Sequence, residues 1–176
     1  MKIRFETLWA IYLLKYQLGV TDMDLLLDSE RSDPQIDGHP FKSGPPKVTV
    51  TDQGKLKVVQ AFRFPRCCGK TTMLVEFTKR LNDRCLYVCS NDSQSKHIKQ
   101  LIGNNTQTKT TTTNRLIYMT DDLRGCAFNY FVFDDFYSSL EPHRQEFYAQ
   151  TFSDVLNQVW KLSNHNNEPS LAVFVH

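Results

Sequence analysis

Three short runs restrict the fold more than any other feature of this chain. Cys85-Leu-Tyr-Val-Cys89, Tyr130-Phe-Val-Phe133 and Ser170-Leu-Ala-Val-Phe-Val175 do not alternate between apolar and polar residues. A strand with one wet face alternates; a strand covered on both faces does not. Each run therefore predicts a strand buried on both sides. The segments between them carry helical spacing. Residues 70–82 place Met73, Leu74, Phe77 and Leu81 on one face. Residues 92–101 read as a second helix, capped by Asn91 or Asp92. Residues 142–162 read as one long helix opened by Pro142, with Phe147, Tyr148, Phe152, Val155, Leu156, Val159 and Trp160 as its apolar stripe. Strands separated by helices give βαβ units and a mainly parallel sheet. The expectation is an α/β fold of three layers, and 176 residues suit one domain of ordinary size.

The remaining segments fill in the frame. Lys47-Val-Thr-Val-Thr51 alternates, Asp52-Gln-Gly54 signals a turn, and Lys55 to Phe62 resumes as strand, so the pair reads as a hairpin or as an edge strand feeding the sheet. The Thr-rich stretch 106–113 reads as a loop or edge strand, Arg115-Leu-Ile-Tyr-Met119 as a strand, and Asn164 to Pro169 as a turn. Ahead of the sheet, residues 5–20 read as an amphipathic helix with Leu8, Trp9, Tyr12, Leu13 and Tyr16 on one stripe. Residues 28–46 are polar and rich in Pro and Gly, as in a linker. The division is 1–46 as an N-terminal helix and linker, and 47–176 as the core.

The loop between the second strand and the first core helix reads Phe64-Pro65-Arg66-Cys67-Cys68-Gly69-Lys70-Thr71-Thr72. Gly-Lys-Thr between a strand and a helix is the context of a phosphate-binding loop. Backbone N–H groups at such a helix start converge on an anion, and the helix dipole favours negative charge there. Lys70 would reach the β- and γ-phosphates, the Thr71 hydroxyl would ligate Mg2+, and Gly69 would let backbone approach phosphate. The full pattern has a glycine five residues before Gly69, where this chain has Phe64.

About 64 residues later the strand Tyr130–Phe133 runs into Asp134-Asp135. A buried parallel strand that ends in an acid sets the carboxylate at the sheet edge where α/β folds bind ligands. Asp134 would hold Mg2+, directly or through water. Asp135 would polarise an attacking water, although Glu is the more usual second acid. Together the two motifs predict a P-loop NTPase that uses ATP and Mg2+.

These residues resemble the ATPase domain of the large terminase subunits of tailed phages and herpesviruses. The resemblance rests on Arg66-x-x-Gly69-Lys70-Thr71-Thr72, on Leu123-Arg124-Gly125 with Phe128 ahead of Asp134-Asp135, on Cys85–Cys89 followed by Ser90-Asn-Asp-Ser, and on the strand Ser170–Val175. It covers about residues 55–176. It implies a RecA-like, ASCE-type P-loop core in a motor that drives double-stranded DNA through a portal ring into a capsid. It further implies a small terminase subunit as partner, assembly as a homo-oligomeric ring, and a host-cell cytoplasmic or nuclear location. Pro65 through Thr72 would bind the nucleotide, with Lys70 and Asp135 catalytic, Thr71 and Asp134 on the metal, and Arg66 stabilising charge on the γ-phosphate. Terminases extend past the position of His176 into a coupling motif and a nuclease domain, so the expectation is a core truncated at its C-terminus with no nuclease activity. A helicase-like ATPase, or a degenerate P-loop domain serving assembly, are the alternatives.

Composition excludes other classes. A net charge of +2, from 21 basic and 19 acidic residues, makes no case for nucleic-acid binding by itself. No stretch is long and apolar enough for a membrane helix, and residues 5–20 lack a leader's cleavage site. Cys67, Cys68, Cys85, Cys89 and Cys126 are odd in number and lack metal-ligand spacing, which reads as reduced intracellular thiols rather than disulfides or zinc. Lys96, His97, Lys99 and Lys109 form a loose basic group that reads first as a solvated face and second as a contact to DNA phosphate. Arg124 reads as structural before it reads as a sensor of nucleotide or DNA, and His143 and His165 as surface residues.

Overall fold

The computed structural model describes residues 47–62, 70–81, 83–103, 107–119, 121–164 and 170–176. The helix expected over 5–20, the linker over 28–46 and the stretch 64–69 lie outside the described residues.

Strand β1 (Lys47–Gln53) turns back through Gly54 into β2 (Leu56–Phe62), and the two pair antiparallel from Lys47↔Phe62 to Gln53↔Leu56. Gly54 has φ +69°, a left-handed backbone that glycine adopts without a Cβ penalty. Helix α1 (Lys70–Lys79) leads to β3 (Cys85–Cys89), and α2 (Asp92–Ile102) leads to β4 (Thr108–Thr112). A short helix α3 (Thr113–Ile117) follows, then a 3-10 turn over Asp121–Leu123 and strand β5 (Tyr130–Phe133). A second 3-10 turn (Tyr137–Ser139), α4 (Pro142–Glu146) and α5 (Tyr148–Leu162) precede β6 (Ser170–Val175). The six strands form one mixed sheet in the order β1-β2-β6-β5-β3-β4, parallel everywhere except between β1 and β2.

The fully buried strands divide their side chains between two apolar clusters. Cys85, Tyr87, Val132, Val173 and Val175 face Met73, Leu74 and Ile98 of α1 and α2. Leu86, Val88, Phe131, Phe133 and Phe174 face Leu116 of α3 and Val155, Val159 and Leu162 of α5. Helices thus cover both faces. The chain moves outward along the sheet (β2 to β3 to β4) through α1 and α2, and returns (β4 to β5 to β6) through α3 and α5. Crossovers of one hand require this, because reversing direction moves the connecting helix to the other face. On the α5 side Phe133 stacks on Phe174 at 4.1 Å between centroids, and Phe136 meets both edge-on at 5.4 and 5.1 Å.

Two expectations need correcting. Arg115–Met119 is not a strand: Thr113–Ile117 is helical, with the Thr112 side chain accepting a hydrogen bond from Arg115 N. A short apolar run does not distinguish the two states; here the sheet edge is already filled by β4, and burial of Thr113 and Leu116 follows the three-residue helical spacing. The long helix expected over 142–162 is two, broken at Phe147, whose φ/ψ of −105°/43° leaves the helical region. Phe147 is 69 % exposed and Trp160 43 %, so neither belongs to the buried stripe, where Thr151 and Leu162 stand with Val155 and Val159. The Thr-rich stretch is the edge strand β4, paired parallel to β3 from Cys85↔Thr108 to Cys89↔Thr112.

Candidate functional site

All five parallel strands end at the same edge of the sheet. That edge receives Lys70 and Thr71 from the start of α1, Ser90 and Gln94 from the turn between β3 and α2, Asp134 and Asp135 from the end of β5, and His176 from the end of β6. Ligands bind outside the carboxyl ends of strands in such sheets, where the chain changes direction.

Asp134 is the centre of the arrangement. Its backbone N–H extends the β3 pairing by donating to Val88 O at 3.1 Å, which fixes the start of the side chain. Three donors then converge on Oδ2. Thr71 Oγ1 lies at 2.8 Å, Tyr87 OH at 3.1 Å and Gln94 Nε2 at 3.3 Å. The residue is 2 % exposed. Burial raises its pKa above the ordinary carboxylate range, and the neighbouring Asp135 charge adds to this. The Thr71 and Tyr87 hydrogen bonds and the Lys70 charge act the other way. Burial, followed by the Asp134 charge, holds the Tyr87 phenol well above its usual pKa, so Tyr87 remains a donor.

Asp135 follows in a left-handed conformation, φ +53°. Asp and Asn are the non-glycine residues that tolerate this region best, because their short polar side chains bond locally. The turn is closed by Phe136 N donating to Val175 O at 2.7 Å and Ser139 N donating to Asp135 O at 3.1 Å. Asp135 Oδ1 is buried and finds no hydrogen-bond partner among the described residues. A buried acceptor left unpaired costs about 1–3 kcal/mol, which a bound group able to donate would relieve.

The structure thus brings Lys70, Thr71, Asp134 and Asp135 to one place. Thr72 sits exposed in the first turn of α1. Pro65, Arg66, Cys67, Cys68 and Gly69 lie outside the described residues, as does His165. The weaker candidates lie apart from this cluster. Lys96, His97 and Lys99 are exposed on α2. Lys109 on β4 donates to Asp122 O at 2.6 Å and to Cys126 Sγ at 3.3 Å. Arg124 pairs with Asp121 at 3.2 Å, and exposed His143 lies 3.6 Å from Glu141. Cys85 and Cys89 are free thiols, each pushed up to about 12, chiefly by burial. Among the described residues no three His, Cys, Asp or Glu side chains converge on one point, and no helix is long and apolar enough to cross a membrane.

Tyr87 and Gln94 were not legible in the sequence as site residues. Tyr87 stands in an apolar strand and reads as core. Gln94 reads as an exposed first-turn residue; only its place three residues after the cap Asn91 hints that it folds back.

No protein-family model and no curated protein matches this chain.

Proposed function

We propose that this chain is a P-loop domain that binds and hydrolyses ATP with Mg2+, and that it serves a viral DNA-packaging motor of the terminase kind. One observation carries the nucleotide reading: the Thr71 hydroxyl donates to the Asp134 carboxylate at 2.8 Å, joining two motifs 63 residues apart. Donating its only hydrogen to Asp134 leaves the Thr71 oxygen with lone pairs for a cation. The donor set fits Mg2+, which takes hydroxyl and carboxylate oxygens and is commonly held by one or two protein groups together with substrate phosphates. Asp135 Oδ1, buried and unpartnered, fits a site whose contents include a hydrogen-bond donor.

The residues then divide the work. Thr71 and Asp134 hold the metal, which when bound neutralises phosphate charge. Lys70, whose charge already acts on Asp134, reaches the β- and γ-phosphates from the helix start. Asp135 orients water for attack on the γ-phosphate. Arg66 adds positive charge to the transferring group. The terminase assignment rests on the motif resemblance, and double-stranded DNA, a portal, a small terminase subunit and a ring of like chains belong to it.

Phosphate release from Mg2+-ATP tests the reading. The wild type should turn over, Lys70→Ala should lose at least about 100-fold, on the scale of removing one partner from a buried charge contact, and double-stranded DNA or portal should stimulate the wild type. Turnover that survives Lys70→Ala contradicts the ATPase assignment. Turnover indifferent to both DNA and portal contradicts the motor.

A further inference from the structure

The nucleotide reading gives roles to Thr71 and Asp134 but none to the other two donors on the same carboxylate oxygen. Tyr87 is the one hydroxyl-bearing residue in strand β3, and it is fully buried. A phenol in that position must find a partner, because an unpaired buried hydroxyl is costly. Phenylalanine would pack the same space without that requirement. Its partner is Asp134 Oδ2, 47 residues away in sequence.

Gln94 approaches from helix α2 with its orientation fixed. Its Oε1 accepts from Ser90 N at 2.8 Å and from Ser90 Oγ at 2.6 Å. A backbone N–H can only donate, so the oxygen of the amide must face Ser90 and the nitrogen must face Asp134. Nε2 then donates to Oδ2 at 3.3 Å. The backbone of Gln94 is itself pinned by its N–H donating to Asn91 Oδ1 at 2.9 Å. The turn after β3 therefore holds a donor against Asp134 in one orientation only.

We propose that Tyr87 and Gln94 are positioning residues of this site, holding the Asp134 carboxylate against Thr71 in the orientation a phosphate-bound divalent cation requires. The proposal rests on the nucleotide reading. Neither residue touches phosphate. Both act through Asp134, as outer residues orient metal ligands elsewhere, where their removal typically costs about 10–100-fold in metal affinity. Two donors from separate elements, β3 and α2, restrict the rotation of a carboxylate that one bond to Thr71 would leave free. Gln94 thereby links Asp134 to the β3–α2 turn through Ser90.

The test separates metal affinity from nucleotide affinity. A fluorescent ATP analogue is titrated into the full chain in EDTA, and Mg2+ is then titrated at fixed nucleotide, for wild type, Tyr87→Phe and Gln94→Met. Both variants should keep the metal-free nucleotide affinity within about twofold, while the Mg2+ concentration at half-saturation rises about 10-fold or more. Thermal melts run beside the titrations. A lowered melting temperature with unchanged Mg2+ half-saturation would show mere structural support and overturn the proposal. If Tyr87→Phe fails to fold, Gln94→Met, at a half-buried position, decides alone. Wild type that binds no nucleotide, with or without Mg2+, overturns the underlying reading and this proposal with it. Wild type that binds normally beside variants with unchanged Mg2+ dependence overturns the proposal alone.

Discussion

Asp134 carries opposing demands, and its titration makes them measurable. Burial raises its folded-state pKa above the ordinary 3.8, so the folded state holds the proton more tightly than the unfolded chain. The stability conferred by the protonated form is therefore present at low pH and lost as pH rises through the raised pKa. Asp134→Asn removes this cost. Denaturant melts should show the variant more stable than wild type at neutral pH, by about 1 kcal/mol as for other relieved functional sites, with the gap closing as pH falls toward 3.8. Asp135 offers a separate residue-scale prediction. At φ +53° a β-branched residue is strained by about 1–2 kcal/mol, so Asp135→Val should be less stable by about that amount than Asp135→Gly, which loses the same carboxylate without the strain. Asp135→Asn should keep the fold, as circular dichroism would show, and lose turnover. The same backbone gives a physical reason for aspartate at a position where glutamate is more usual, since the left-handed region favours the shorter acid. Thr71 and Asp134 stood out in the sequence by residue type, one at a helix start and one at a strand end, and the structure sets them within a hydrogen bond of each other. Tyr87 and Gln94 did not stand out, because their roles depend on which strand and which turn lie beside Asp134.

At the scale of elements, the strands were the most legible part, since a run buried on both faces leaves an unbroken apolar signature. The helices were less so where tertiary context chose between states. Leu116 and Ile117 suit a strand equally well, but β4 already fills the sheet edge, and Thr113 and Leu116 are buried at helical spacing. The break at Phe147 is stabilised by Thr151, whose hydroxyl donates to Arg144 O at 3.1 Å and whose N–H donates to Phe147 O at 3.0 Å. A carbonyl at the end of α4 thereby finds a partner. Thr151→Val, which keeps the shape and removes the hydroxyl, should cost about 1 kcal/mol in urea melts. Phe147→Ala should stay within about 0.5 kcal/mol of wild type, because Phe147 is exposed. Phe174→Ala, which empties the centre of the ring cluster formed with Phe133 and Phe136, should cost about 3–5 kcal/mol. Comparable losses at Phe147 and Phe174 would contradict this division of the helix face.

For the whole molecule, the order β1-β2-β6-β5-β3-β4 is what brings the start of α1 and the end of β5 together at one edge of the sheet. Only the alternation of strand and helix, not the strand order, could be read from the sequence. Placing β6 between β2 and β5 is a long-range outcome of packing Ala172 and Phe174 on one face and Val173 and Val175 on the other. The same burial sets thiol chemistry. Cys85 and Cys89, each pushed up to about 12, should resist alkylation in the native protein, while half-exposed Cys126 reacts. Site-resolved mass spectrometry after iodoacetamide would show this, and native labelling of Cys85 would contradict it. Whether Thr71 and Asp134 act together on one metal-bound nucleotide, as proposed, is decided by a double-mutant cycle read by calorimetry. Wild type should bind Mg2+-ATP at one site per chain. Thr71→Ala and Asp134→Asn should each weaken binding by about 10-fold or more, and the pair should lose little beyond the worse single variant, because both act on one cation. No binding heat from wild type, or losses that simply add, would contradict the proposal.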